Sequence, residues 1–305
     1  MIDLHCHSNC SDGTDSPKEI ASLAEQAGLK AVALTDHDTI AGLGDFTAQQ
    51  KYVSTQLLTG IELSCEFSGQ EIHILGLLIN HNDPTFQERV NGLGLRRQRR
   101  NAKIIQKLAN IGIDICPESF FEEKRLGVLT RAHIAQKIIQ DGYAFSKAEV
   151  FHKYLGIDGI AYVPFETLSP EIAFSWIRES GGVSIIAHPA RYGQLAKGQF
   201  IWDRAMADLK DMGAQGIEAY YSDHSDTETA YFLRLCDTLD MIPSGGSDYH
   251  GRVKQGCHLG TGWGKLNVPD EVLDRLRFSP FQNPLGGLKR RSSYTKLRST
   301  DRTLV

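Results

Sequence analysis

Apolar and polar residues alternate in blocks along the chain. Short aliphatic runs recur, each ending in polar residues: MIDLH at the start, AVALTDHD at 31–38, LLTGIELS at 57–64, EIHILGLLI at 71–79, GVSIIAHP at 182–189, GIEAYY at 216–221 and MIPSGGSDYH at 241–250. Segments of helical period lie between them. In SPKEIASLAEQAGL, Ser16 serves as N-cap, Pro17 stands in the first turn, Glu19 follows the cap by three residues and Gly28 closes the helix. Alternating strand and helix predicts an α/β barrel or a doubly wound sheet.

Residues 86–160 break that rhythm, with three stretches of helical period and no convincing strand. The spacing predicts a helical insertion at 86–160 between barrel segments at 1–85 and 161–280. Arg96, Arg97, Arg99, Arg100 and Lys103 crowd its start and point to different sides of a helix, as an anion site or as a solvated basic face. The tail at 281–305 carries Lys289, Arg290, Arg291, Lys296, Arg298 and Arg302 among serines and threonines, without apolar period, and is expected to be loosely ordered. No internal repeat is present.

A chain of 305 residues with 41% hydrophobic content can bury a full core. Its net charge of -4 gives no global attraction to nucleic acid or anionic membrane, so an anionic substrate needs a local cationic site. The start, MIDLHCHS, lacks a basic leader and a long apolar run, which predicts a soluble, cytoplasmic protein without membrane contact or an obligate protein partner. Cys6, Cys10, Cys65, Cys116, Cys236 and Cys257 form no CxxC pair, so neither a thiolate zinc knuckle nor a redox motif is indicated. Cys6 alternates with His5 and His7 on a strand and is expected to face away from them.

Candidate chemistry collects where the apolar runs end. His5 and His7, two apart on a strand, fall on one face about 7 Å apart along the chain, a spacing that suits one divalent cation but also ends ordinary polar strands. Asp12, in the turn SDGTD, can return a carboxylate over that strand end or serve only its own turn. His37, in TDHD after AVAL, stands where a barrel strand exits into its loop, the position that carries catalysis in barrels. Glu62 lies inside an apolar strand, where a carboxylate is costly unless a cation or a donor meets it. A salt bridge would serve; a metal ion meets the need most directly. His73, between Ile72 and Ile74, reads alone as a satisfied core histidine. His188 in IIAHP and the pair Asp248 and His250 in SDYH complete the set.

Together these are nine oxygen and nitrogen donors, a concentration that few folds tolerate without metal. Zinc takes about four ligands and manganese about six, so two or three ions are expected. The thiolate-free set suits Mn2+, with Fe2+ and Zn2+ compatible. Cations about 3.5–4 Å apart can share a bridging hydroxide, here between Glu62 and Asp248, while clamping phosphate oxygens; metal-dependent phosphoester hydrolysis is the expected chemistry. His81, His152, His224 and His258 lack a paired ligand at a strand exit. Arg131 and His133, near a predicted helix start, suit an anion, although a plain helix cap explains His133 equally well.

Through HCHSNCSDG, ALTDHD, GIELS, HILG, IAHP and SDYHG the chain resembles the PHP (polymerase and histidinol phosphatase) superfamily over roughly residues 1–80 and 165–265. The resemblance implies a distorted (β/α)7 barrel with an inserted helical domain and a trinuclear site. His5, His7, Glu62 and Asp248 would hold one ion, Glu62, His73 and His188 a second, and Asp12, His37 and His250 a third. Asp12 stands where some members have histidine, which hardens that third site toward manganese or iron.

TRAHIA, YLGIDGIAYVP and AHPARY further resemble a stand-alone bacterial branch that hydrolyses 3',5'-nucleoside bisphosphates and short RNA 5' ends. Thr130 and Ala132 depart from that branch's Gly and Pro. The implied substrate contacts are Arg100, Asn101, Arg131, His133 and Arg191, with His37 and His250 at the reacting end. The expected substrate is therefore a phosphorylated nucleotide or short RNA. Another small-molecule phosphatase, such as one for histidinol phosphate, is the alternative, and the basic insertion favours two phosphates over a cationic amine. A non-enzymatic, polymerase-associated metal module is disfavoured because all nine expected ligands are present.

Overall fold

Seven apolar runs become strands that lie side by side in chain order: β1 (Ile2–Cys6), β2 (Ala31–Leu34), β3 (Gln56–Phe67), β4 (Gln70–Leu77), β5 (Val183–Ile186), β6 (Gly216–Tyr221) and β7 (Ile242–Gly246). The computed structural model describes residues 1–115, 129–164, 168–192 and 199–278; the basic tail at 281–305 lies outside them. The helices are α1 (Pro17–Gln26), α2 (Leu43–Thr47), α3 (Pro84–Ala109), α4 (Arg131–Gln140), α5 (Lys147–Val150), α6 (Pro170–Glu179), α7 (Gln199–Met212), α8 (Asp226–Leu239) and α9 (Glu271–Arg277). At α1 the expected reciprocal cap forms between Ser16 and Glu19, and Gly28 takes φ +67° just beyond the helix end.

Residue parity sorts the strands into two cores. Val32, Leu34, Ile61, Leu63, Ile72, Ile74 and Ile186 pack against helical residues such as Ile20, Phe46, Phe86, Phe174, Met206 and Phe232. The opposite faces contribute Ile2, Leu4, Ala31, Ala33, Leu58, Leu75, Leu77, Val183 and Ile185, joined by Val272, Leu273 and Leu276 of α9. The second set is the barrel's filled interior, where period-two alternation aims one face of every strand. Glu62 shares parity with Leu58, and His73 with Leu75 and Leu77, so both point inward.

The simple strand–helix alternation fails at one place. β3 and β4 are a hairpin joined through Ser68 and Gly69, and β4 is antiparallel to both of its neighbours. That reversal distorts the barrel. It also puts the start of β4, with His73 opposite Ser64, at the mouth where the other strands end.

The ring closes between β1 and β7. Asp248 N–H donates to His5 O and His7 N–H to Tyr249 O, both at 2.8 Å. Below them the buried Asp3 carboxylate accepts N–H groups from His5 at 3.2 Å, Ser247 at 2.9 Å and Gly260 at 2.7 Å. The seam leaves no room for a side chain at Gly246: a Cβ there would stand 2.4 Å from both the backbone N and the Cβ of His5.

α3 presents one buried face to three surroundings. Phe86, Val90 and Leu93 join the barrel core; Arg97, Arg100 and Asn101 follow; Ile104 and Leu108 enter a separate core with Ile113, Ile115, Ile134, Ile138, Val150, Leu155 and Val163. The helical segment thus has apolar packing of its own, and its first helix is shared with the barrel. Among the described residues no helix is long and apolar enough to cross a membrane.

Gly246→Ala is expected to lower stability by about 1–3 kcal/mol, because the seam must open to admit the methyl group. Gly44→Ala, whose added Cβ meets nothing within 4 Å, is the control. Equal thermal unfolding midpoints for the two variants would show that the seam is not tightly packed.

Candidate metal centre

Every strand sends at least one ionisable side chain to the barrel mouth. His5 lies in β1 with His7 just beyond it, His37 follows β2, Glu62 lies in β3, His73 in β4, His188 just after β5, Glu218 in β6, and Asp248 and His250 after β7. Asp12 arrives on the loop after β1, which Asp36 fastens by accepting from Ser8 N at 2.8 Å, Ser8 Oγ at 2.6 Å and Ser11 Oγ at 2.5 Å. Three residues at strand exits, Asp38, His188 and Asp248, have φ of 49°, 26° and 53°, a region that non-glycine residues rarely enter and that clusters at functional sites.

All nine expected donors converge. Glu62 Oε2 lies 3.3 Å from His5 Nε2, 3.1 Å from His7 Nε2 and 3.1 Å from His37 Nδ1; its Oε1 lies 2.9 Å from both His73 Nδ1 and His188 Nε2. Asp248 Oδ1 is 3.3 Å from His7 Nε2, and Asp12 Oδ1 is 3.2 Å from His250 Nε2. The atoms form four overlapping groups: Asp12 with His7, His37 and His250; Glu62 with His5 and His188; Asp248 with His5 and His7; and Glu62 with His37 and His73. The grouping overlaps more than three separate sets would, with Glu62, His5, His7 and His37 each in two groups. Cys6 faces away as expected, with its thiol directed to Ala33 O.

The donor set fits divalent cations. Asp12 Oδ1 and Glu62 Oε2 are buried with no hydrogen-bond partner among the described residues, and His5 Nε2 faces His7 Nε2 at 3.1 Å. Two imidazole nitrogens so placed need either a shared proton or a cation. Burial would push Glu62 up, yet the imidazoles of His37, His5 and His73 hold it well below the usual carboxylate range. Burial likewise opposes ionisation of Asp12 and Asp248, but His250 and His37 outweigh it at Asp12, and Lys254 and His5 at Asp248. Burial depresses His37 and His188 to about 3, whereas at His5, His7 and His73 the neighbouring carboxylates outweigh burial and raise the imidazoles.

A surrounding layer fixes the rings. Glu218 lies 2.9 Å from His5 Nδ1 and accepts from His188 N at 2.7 Å, turning His5 Nε2 toward the cluster. Asp248 Oδ2 accepts from Tyr221 at 2.8 Å and Arg191 at 3.2 Å and pairs with Lys254, so its other oxygen faces the histidines. Asp38 pairs with Arg97 of α3 and accepts from Ser64 N at 2.8 Å. Glu218 carries the same signal as Glu62, a carboxylate flanked by apolar strand residues. Lys254 has no sequence signal, and Arg97 stands out only as one of a basic cluster, because tertiary packing selects which of them pairs with Asp38.

A cavity of about 660 Å³ rises from the cluster toward the helical segment. Arg97, Arg100, Arg131, Lys147, Arg191 and Lys254 line it, with Phe151, Ile157, Tyr162 and Tyr192. Two expected substrate contacts, His133 and Asn101, are not among the described residues that line it. His133 is not a lining residue: its Nδ1 accepts Thr130 N–H at 3.0 Å, so the helix-cap reading holds for this nitrogen. Asn101 is 3% exposed, and its Nδ2 donates to Leu129 O at 2.6 Å.

An α/β barrel with a metal-fitting mouth of imidazoles and carboxylates defines a metal-dependent hydrolase, and comparison with known proteins narrows the class. The PHP domain family matches residues 3–98. A 5'-3' exoribonuclease of Haemophilus influenzae is 35% identical over 263 residues, covering 84% of this chain and 93% of that protein. A 3',5'-nucleoside bisphosphate phosphatase of Chromobacterium violaceum is 31% identical over 260 residues, covering 85% and 90%. An amidohydrolase of the same organism, solved with bound sulfate and no metal, superposes with a TM-score of 0.77 at 30% identity, covering 90% of this chain and 96% of that one. The chain belongs to the PHP family and is a metal-dependent phosphoesterase.

Glu62→Gln removes the charge that five imidazoles surround and is expected to abolish turnover while the fold survives. Elemental analysis should show a reduced cation content. Near wild-type turnover with full content would contradict a shared role for Glu62.

Proposed function

We propose that the enzyme removes the 3'-phosphate of nucleoside 3',5'-bisphosphates to give nucleoside 5'-monophosphates. The observation that carries this reading is the division of the cavity's positive charge. The metal-fitting cluster at the strand ends lines the cavity, and Arg100, Arg131 and Lys147 enter its lining from the helical segment. A substrate with two phosphates uses both; a simple monoester uses one. The name of the Chromobacterium violaceum phosphatase agrees with this assignment, and that of the Haemophilus influenzae exoribonuclease supports action also on the 5' end of short RNA.

His5, His7, Asp12, His37, Glu62, His73, His188, Asp248 and His250 would hold two or three cations, Mn2+ being the best match to a set of nitrogen and oxygen ligands. When bound, such ions polarise the phosphoryl group and lower the pKa of water. The chain's own residues do the rest. Arg191 is half exposed, and while Nη1 rests on Tyr221 and Asp248 the remainder of its fork is presented to the reacting phosphate. Lys254 adds an ammonium beside Asp248. Arg131 would hold the second phosphate bidentately, a match that its planar guanidinium provides and a lysine does not. The helical insertion at 86–160 then acts as the substrate lid over a barrel that carries the chemistry.

Chelation should remove activity, and Mn2+ should restore it best. Hydrolysis by protein shown metal-free by elemental analysis would exclude the mechanism. Adenosine 3',5'-bisphosphate should be turned over faster than histidinol phosphate, with 5'-phosphorylated RNA testing the exonuclease activity in the same assay.

At saturating Mn2+, Arg131→Ala should cost about 1.5–3 kcal/mol of transition-state stabilisation on the bisphosphate, roughly one to two decades in kcat/KM. An aryl monophosphate should lose far less. Equal losses on both would mean that Arg131 serves the reacting phosphate or the fold, and the two-phosphate assignment would fall.

A further inference from the structure

His73 has two nitrogens with different neighbours. Nδ1 is 2.9 Å from Glu62 Oε1, inside the cluster, and Nε2 is 3.6 Å from Glu71 Oε1, outside it. If Nδ1 is to offer a lone pair to a cation, the ring proton must reside on Nε2, and a carboxylate facing Nε2 fixes that tautomer and raises the ring's basicity. Glu71 is the group so placed, and it stands two residues from His73 on β4.

The contact is incomplete. At 3.6 Å it falls outside hydrogen-bond range, and the other oxygen of Glu71 is taken by Arg131 at 2.7 Å. Glu71 also faces Glu66 directly across the β3–β4 pair, a like-charge juxtaposition that favours a cation on one of them. One carboxylate is therefore shared between the lid's arginine and the barrel's histidine, and each claim on it weakens the other.

Resting on the reading above that His73 binds a cation, we infer that Glu71 is a positioning residue for His73, and that Arg131 holds Glu71 back until an anion occupies the guanidinium. A phosphate on Arg131 competes for the same donors and releases Glu71 to close on Nε2–H. By linkage, His73 with Nδ1 engaged on a cation would be a stronger Nε2–H donor, Glu71 would favour it, and Arg131 would be freed for phosphate. Phosphate at the lid and metal at the barrel then favour each other through this chain's own side chains, in addition to any direct contact between the two ligands.

Calorimetric titration of the metal-free full-length protein with Mn2+, without substrate, tests the inference. Glu71→Gln should weaken Mn2+ binding by about tenfold or more, the usual cost of losing a carboxylate behind a ligating histidine. Arg131→Ala should tighten it several-fold, since it removes the restraint and leaves every ligand in place. The double variant should match Glu71→Gln alone, because Arg131 acts only through Glu71. A merely structural role for Arg131 would leave metal affinity unchanged or lower it, and either result overturns the inference. So does wild-type affinity in Glu71→Gln, with thermal unfolding confirming that each variant is folded. If wild-type protein takes up no Mn2+ at all, the metal reading itself fails and takes this one with it. Which phosphoester is hydrolysed does not affect the titration.

Discussion

The structure is organised around a buried carboxylate that five imidazoles approach within 3.3 Å, Glu62. So many polar groups above an apolar barrel interior are tolerable only if each is met, because low dielectric strengthens satisfied contacts and penalises unsatisfied ones alike. The surroundings follow from that requirement. Parity on β3 must aim Glu62 inward, β4 must reverse to deliver His73, and the ring must close so that His5 and Asp248 come within reach of each other. Behind the rings, Glu218, Asp36 and Glu71 are each placed to orient a histidine or the loop that carries a ligand. Removing any of these supports leaves Glu62 in place with its neighbours misdirected.

Much of this was legible in the sequence, for a physical reason. A barrel exposes its functional side chains where strands exit, so HCH, TDHD, IAHP and SDYH each mark the end of an apolar run. Glu62 was legible as a charge inside such a run. Glu218, in GIEAYY, was equally legible on that criterion but lies beside no second polar residue. The direction of β4 was not legible: EIHILGLLI has the apolar pattern of any buried strand, and pattern does not encode orientation. Nor could spacing single out Arg97 or reveal Lys254, whose places depend on how α3 and the loop after β7 cross the mouth. Spacing also could not show that His133, at the start of α4, would cap Thr130 N–H, or that Asn101, inside α3, would donate to Leu129 O.

α3 shows how the barrel and the helical segment share one element. Its buried face at a helical spacing runs from Phe86 through Arg97 and Arg100 to Leu108, apolar at both ends and cationic where it passes the mouth. The pairing of Arg97 with Asp38 pins this middle section to the β2 exit. A buried ion pair of this kind adds little net stability, but breaking one partner is costly, so it specifies where the helix crosses. Arg100 and the substrate cavity inherit their positions from that crossing.

The reversal of β4 has an evolutionary consequence. Because β4 and β5 are antiparallel neighbours, Leu77 stands beside Val183, and Asn80 N–H donates to Ser180 O at 2.9 Å. The stretch between Asn80 and Ser180 starts and ends at nearly the same point, at the end of the ring remote from the mouth, while Phe86, Val90, Leu93, Phe174 and Ile177 within it pack on the barrel. A short turn could join the two strands without changing the order of the ring. Excursions whose ends already meet are the ones a domain can lengthen, shorten or replace with little loss of closure entropy. The length of chain between β4 and β5 can thus change without altering the order of the strands.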